Sequence, residues 1–173
     1  MGLLRTRQPR RRCGVRFHLR LRGVRGGRPG DQGGAAVVSV GGTPIVPGVA
    51  EGPSLVLDQP LSWWGGIDPR DGTIVDLHHP QHGQPTAGRV LVLPGGRGSS
   101  GGSAVLAESV RRMTAPAGLV LGDVDPILVV GLIVSAELYP DRNCPLVVAR
   151  EGYDLLVSGR TTRIRTDGRI EQF

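Results

Sequence analysis

Ser99, Ser100 and Ser103 stand with Arg97 in a run of ten residues, PGGRGSSGGS, that holds little else but glycine. A hydroxyl can donate or accept a proton, and arginine offers a planar fork of donors matched to carboxylate or phosphate. Glycine lets backbone N–H groups approach a ligand and permits positive φ. The run follows an apolar stretch, RVLVLP, and precedes a segment with Val105, Leu106, Ser109 and Val110 at helical spacing. A strand, a glycine-rich corner and a helix N-terminus together favour an anion site. The first helical N–H groups have no intrahelical partner, and the helix dipole adds positive potential there. The candidate binding residues are therefore Gly95, Gly96, Arg97, Gly98, Ser100 and Ser103, around Ser99. The run lacks the Gly-Lys-Ser/Thr of a P-loop. No acidic residue closes a following strand, as a dinucleotide fingerprint requires. The competing reading is a flexible turn in which Ser99 or Ser103 merely caps the helix. Residue types alone leave both open.

Other groups could also carry chemistry. His78, His79 and His82 fall within five residues. No carboxylate or cysteine completes a convincing metal spacing, so a loop with structural, hydrogen-bonding histidines is expected. Trp63-Trp64 could anchor an interface or pack in the core. Asp68 before Pro69 reads as a turn initiator. Cys13 and Cys144 are too few for a disulfide framework or an iron–sulfur cluster, and Cys144 should be a packed thiol.

The elements that must hold these groups follow from punctuation and period. AAVVSV and SLVLDQPLS read as strands, with GGTPIVPGVAEGP between them as a bent or loop-interrupted segment. RVLVLP is apolar throughout, which predicts burial on both faces. Pro116 ends the helix that starts at Ser103. AGLVLGD is the next strand, Asp125 caps a second helix with Pro126 at its first position, and CPLVVA follows as a strand. YDLLVSG and TTRIRTDGRIEQF close the chain as strands, with Asp167-Gly168 as a hairpin turn. The expected fold is α/β: a β-rich N-terminal half, β-α-β crossovers, then a C-terminal hairpin.

Charge divides the chain. All 21 basic residues are arginine, and ten of them lie in residues 1–33, where Asp31 is the only acid. The remainder holds 11 arginines against 14 acids. A basic arm could bind nucleic acid. The same composition also results when GC-rich DNA upstream of a true start near Val37 is translated. The latter is expected, with residues 1–34 disordered and residues 35–173 forming one domain. No nucleic-acid partner is expected for that domain. The longest apolar run, PILVVGLIVSAELY, is shorter than the ~20 residues of a membrane span and is expected to be a buried helix. No secretory signal is visible, and two cysteines fit a reducing cytoplasm.

Four stretches, GVAEGPSLVLDQPLSWWGGIDPRDGTIVD, HPQHGQPTAGRVLVLPGGRGSSGGS, APAGLVLGDVDPILVVGLIVSAELY and CPLVVA, resemble the swivel domain of aconitase X, the family of the phosphomevalonate dehydratase small subunit. The resemblance runs from about Val40 to Ala149. It implies a swivelling β/β/α fold and a hydro-lyase formed with a separate, larger subunit, as a heterodimer or higher assembly. The implied substrate is a small anionic hydroxy acid, either cis-3-hydroxy-L-proline, the favoured choice, or mevalonate 5-phosphate. No cofactor is expected on this chain; an iron or iron–sulfur centre is implied for the large subunit, as Lewis acid for the leaving hydroxyl. The family pattern Gly-Gly-Lys/Arg-Gly-Ser falls on Gly95–Ser99 and implies Ser99 as proton acceptor. Relatives often carry Ser or Val before the second glycine that follows, where this chain has Gly101-Gly102. Ser99 is untouched by that departure; Ser100 and Ser103 are less firmly placed. The alternative is a stand-alone anion-binding module without catalysis.

Overall fold

The computed structural model describes residues 37–173. The arginine-rich 1–34 segment, with its expected disorder, lies outside the described residues. Strands β1 (Val38–Gly41), β2 (Thr43–Val46), β3 (Ala50–Val56), β4 (Ile67–Asp68), β5 (Thr73–Ile74) and β6 (Val90–Leu93) precede helix α1 (Gly102–Arg112). Then follow β7 (Gly118–Leu121), α2 (Pro126–Leu138), β8 (Leu146–Val148), β9 (Thr161–Ile164) and β10 (Arg169–Gln172). Eight strands join in the order β1-β10-β9-β3-β6-β7-β8-β2, and β4-β5 form a small ribbon of their own.

Strand β3 is the seam. Its first half, Ala50–Pro53, pairs antiparallel with β9; its second half, Ser54–Val56, pairs parallel with β6. An antiparallel ribbon (β1, β10, β9) thereby continues into a parallel sheet (β3, β6, β7, β8). Residues in the parallel strands are buried on both faces, and side-chain alternation sorts them. Leu91, Leu93, Leu119, Leu121, Leu146 and Val148 meet Leu106 and Val110 of α1 and Leu128 and Leu132 of α2. Val90, Val92, Val120 and Val147 face the other way, onto Val40, Ile164 and Ile170 of the ribbon. The result is the expected β/β/α layering. The longer leucines fill the gap to the helices, and compact β-branched valines fill the gap between the two β layers.

The second helix starts as expected. Asp125 accepts from the Ile127 and Leu128 amides, and Pro126 opens the helix. Three expectations need correction. The segment YDLLVSG is not a strand: Tyr153–Leu155 form one 3₁₀ turn, and no strand follows before Thr161. Its backbone instead serves the ribbon, where Gln172 donates to Val157 O (2.9 Å), Ser54 Oγ (3.2 Å) and Thr162 Oγ1 (3.0 Å) in a buried network. The strand read over 54–62 starts earlier, at Ala50, and ends at Val56, because pairing with β9 recruits residues 50–53. Finally, α2 is not buried all round. Leu128, Gly131, Leu132 and Ser135 face the core, while Val130, Ile133, Val134 and Leu138 are about half exposed. Among the described residues no helix is long and apolar enough to cross a membrane.

Candidate functional site

Parallel strands deliver their loops to one edge, and ligands bind outside the carboxyl ends of such strands. Here β6 leads into residues 94–101 and β7 into 122–125, each running up to a helix N-terminus. The loop after β3 joins them: Leu61 bridges Gly96, and the Arg97 amide donates to Leu61 O at 3.2 Å. Between them lies a crevice of about 470 Å³, walled by Pro60, Pro94 and Gly95–Gly98 on one side and Asp123–Ile127 on the other. Ser99 is exposed on its rim, one residue beyond the lining. A second concavity of about 640 Å³ adjoins through Val124. It is lined by Thr43, Arg150 and Glu151 among glycines and apolar side chains.

The corner itself is built from backbone. Gly98 sits at φ +98°, and a Cβ there would also fall 2.6 Å from Ser62 Oγ. A side chain is therefore disfavoured on both counts. The amides of Gly98, Ser99 and Ser100 donate to no acceptor among the described residues. Ser99 Oγ accepts the Gly101 amide at 3.2 Å, and Gly101 is the N-cap of α1. Neither Ser99 nor Ser103 is that cap, contrary to one reading of the sequence. Backbone turns already satisfy the first helical amides, with Gly102 donating to Ser99 O and Ser103 to Ser100 O. Ser103 Oγ turns back to donate to Ser100 O at 2.8 Å. It is thus a strut of the loop rather than an open ligand group.

Arg97 is also redirected. One nitrogen of its guanidinium, Nη2, donates to Asp76 at 2.6 Å, which anchors it to an acid from another loop while the side chain stays about half exposed. The His78 amide, first, and the Arg97 guanidinium hold the Asp76 carboxyl below its ordinary value, so it stays ionised. Donors for an anion at this corner are therefore amides 98–100 together with the remaining N–H groups of Arg97. Gly96 is required by close approach: the Asp125 carboxylate lies where its Cβ would be.

The remaining candidates separate cleanly. Trp63 is 2% exposed in the core, and Trp64 is 60% exposed, its ring lying on Gly101 at the start of α1. His79 is buried, with Nδ1 accepting the Gln81 amide and Nε2 near Gln59 O (3.3 Å). No group of three His, Cys, Asp or Glu that could hold a metal ion is found among the described residues. Asp68 initiates a turn, accepting the Arg70 amide at 2.9 Å and the Arg70 guanidinium at 2.6 Å. Cys144 is buried, and burial pushes its thiol up to about 12. Sequence reasoning missed Asp76 and Trp64 as neighbours of the corner. The only signal was the density of polar residues in 76–82.

The profile of the aconitase X swivel domain matches residues 39–172. A cis-3-hydroxy-L-proline dehydratase of Pseudomonas aeruginosa is 42% identical over 127 residues, covering 73% of this chain and 22% of that protein. A phosphomevalonate dehydratase small subunit of Methanopyrus kandleri is 54% identical over 81 residues, covering 47% of this chain and 60% of that one. The chain thus spans only part of either relative. The crystal structure of Thermococcus kodakaraensis aconitase X in its holo-form superposes with a TM-score of 0.70 at 34% identity, covering 79% of this chain and 98% of that one.

Proposed function

Since the chain belongs to the aconitase X swivel-domain family, we propose that it is the smaller component of a hydro-lyase completed by a larger subunit, with Ser99 as the base. The observation that carries this reading is the exposed Ser99 hydroxyl receiving the Gly101 amide at the head of α1. Serine is a poor base until its alkoxide is stabilised. An amide aimed at Oγ, a helix N-terminus and the neighbouring open amides all favour the negative form.

Dehydration takes a proton from one carbon and hydroxide from its neighbour, leaving a double bond between them. As alkoxide, Ser99 would accept that proton. The amides of Gly98 and Ser100, with Gly95 and Gly96 in the crevice wall, would hold the substrate's carboxylate. Arg97, anchored on Asp76, would fix the loop, and its remaining N–H groups would join those amides. The iron or iron–sulfur centre is assigned to the large subunit.

Of the two substrates suggested by the relatives' names, cis-3-hydroxy-L-proline suits this crevice better than mevalonate 5-phosphate. Asp123 and Asp125 line it, and its one arginine is met by Asp76. A zwitterion brings an ammonium for the exposed Asp123 carboxylate, whereas a phosphate adds negative charge beside Asp123 and Asp125 and would share Arg97 with Asp76.

The test is co-expression with the large subunit, followed by dehydration assays on both compounds. Turnover of hydroxyproline is expected. In the intact complex, Ser99→Ala should lose about 10²–10⁴ in kcat, the range of a general base, whereas Ser100→Ala keeps its amide and loses only a few-fold. A fully active Ser99→Ala complex, or a complex that dehydrates neither compound, overturns the proposal.

A further inference from the structure

Of the eleven arginines among the described residues, eight reach a carboxylate. Arg160 is exposed to solvent, and Arg142 lies over the Tyr139 ring, 5.5 Å from its centroid. Arg89 differs from both. It is partly buried, its guanidinium has no hydrogen-bond or ion-pair partner among the described residues, and it lines a recess of about 380 Å³. Three stretches far apart in sequence complete that recess: Ser54–Val56 of β3, residues 80–84 of the loop after β5, and Ser158 with Gly159. No carboxylate lines it. The acid that borders it, Asp58, is already held by Gln81, whose Nε2 donates to Asp58 Oδ2 at 2.5 Å and whose Oε1 accepts the Asp58 amide at 3.4 Å.

The recess is rich in donors and held in shape. The His82 ring and the Gln84 side-chain amide make no hydrogen bond among the described residues. Ser158 Oγ accepts the Val56 amide at 2.8 Å, while its own hydrogen has only Val56 O, 3.5 Å away, and is easily turned to a ligand. The loop is pinned to β5, with Gly83 donating to Ile74 O at 2.8 Å and Ile74 donating to Gln84 O at 3.0 Å. A partly desolvated guanidinium without a partner is unfavourable until an anion supplies one, and a fixed wall lowers the cost of binding that anion. We infer that Arg89, with His82, Gln84 and Ser158, forms a second anion site, which takes inorganic phosphate or the phosphate of a small phosphomonoester. Donors that come from three separate stretches surround a tetrahedral group, whereas a planar carboxylate uses the arginine fork alone. The volume exceeds that of a phosphate, and Val56 and Pro80 give an attached carbon body an apolar wall. The site is distinct from the Ser99 corner. Arg89 precedes β6 and the corner follows it, so the four residues of the strand put about 13 Å between them. The two concavities share no lining residue. The inference is independent of the functional reading above.

The test is residue-resolved, because the arginines of residues 1–33 also attract anions. The full chain is labelled with ¹⁵N and titrated with inorganic phosphate, and separately with acetate, at a constant ionic strength of about 0.15 M. The Arg89 Nε–H resonance and the amides of His82, Gln84, Ser158 and Gly159 should move together and saturate at a common midpoint of about 1–10 mM phosphate. Acetate should bind there at least about fivefold more weakly. Arg89→Gln should weaken phosphate binding at these amides about tenfold or more. Arg89→Lys keeps the charge without the fork, should weaken it about threefold or more, and carries the test if Arg89→Gln does not fold. Arg142→Gln should leave it within about twofold.

Shifts at these positions that grow without saturating, or that survive in a folded Arg89→Gln chain, overturn the site. An equal response to acetate overturns the assignment to phosphate. If unlabelled larger subunit moves the Arg89 resonance and phosphate then no longer does, the occupant is an acidic side chain of that partner, and the inference falls. None of these outcomes touches Ser99, so the hydro-lyase reading stands or falls on its own assay.

Discussion

Gly96→Ala should destabilise the protein through a residue 29 positions away. The added Cβ would fall 2.8 Å from the Asp125 carboxyl carbon and closer still to one of its oxygens. Carbon–carbon contact is comfortable only from about 3.5 Å, so the carboxylate must retreat by roughly 0.7 Å or more. Its bond from the Ile127 amide is 2.8 Å and that from Leu128 is already 3.4 Å. A retreat along those bonds stretches the first to about 3.5 Å, the edge of hydrogen-bonding range, and breaks the second. Losing an N-cap costs about 1 kcal/mol, within ~0.5–2, and Leu128 is buried, so its orphaned amide adds to the cost. A total of about 1–2 kcal/mol corresponds to a fall in Tm of about 3–8 °C for a domain of this size. The assay is a double-mutant cycle by thermal unfolding, with Asp125→Ala as the second arm. In the Asp125→Ala background the alanine at 96 has no carboxylate to displace, so it should cost almost nothing. Coupling of about 1–2 kcal/mol is expected. If the two substitutions add independently, the reasoning that Gly96 exists to admit Asp125 is refuted.

Asp68 should titrate near 2, because the Arg70 guanidinium and amide bind its ionised form. Carbon-detected NMR titration checks this, and Arg70→Ala should return the midpoint towards 3.8. The sign follows from the lowered value: this pair's contribution to stability is complete above the unfolded carboxyl's midpoint and disappears as pH falls towards 2. Acid unfolding of Arg70→Ala should therefore depend less steeply on pH in that window. Cys144, its thiol pushed up to about 12 by burial, should resist a thiol reagent at pH 8 in a Cys13→Ser background. Its modification rate should track global unfolding as denaturant is raised. Rapid labelling of the native protein would contradict the burial.

Much of the architecture was legible because its causes are local. An apolar run flanked by turn residues announces a strand covered on both faces, and RVLVLP and AGLVLGD became β6 and β7. Asp125-Pro126 announces a helix start through chemistry contained within four residues. The glycine-serine corner between β6 and α1 was readable for the same reason, and so was the order of elements, whereas the β/β/α layering was implied only by the family resemblance. What the sequence could not disclose were choices of partner made across long separations. Asp76 takes Arg97 from 21 residues away, and Gln172 ties itself to Ser54 from 118 residues away. Trp63 and Trp64, adjacent in a turn, part company, one ring buried in the core and the other exposed against Gly101 at the head of α1. The apolar text of α2 resembled a buried helix, yet one helix can bury only the stripe that its neighbours reach. Local propensity and period write the elements. Loop paths and register, which are global, decide which side chains share a crevice.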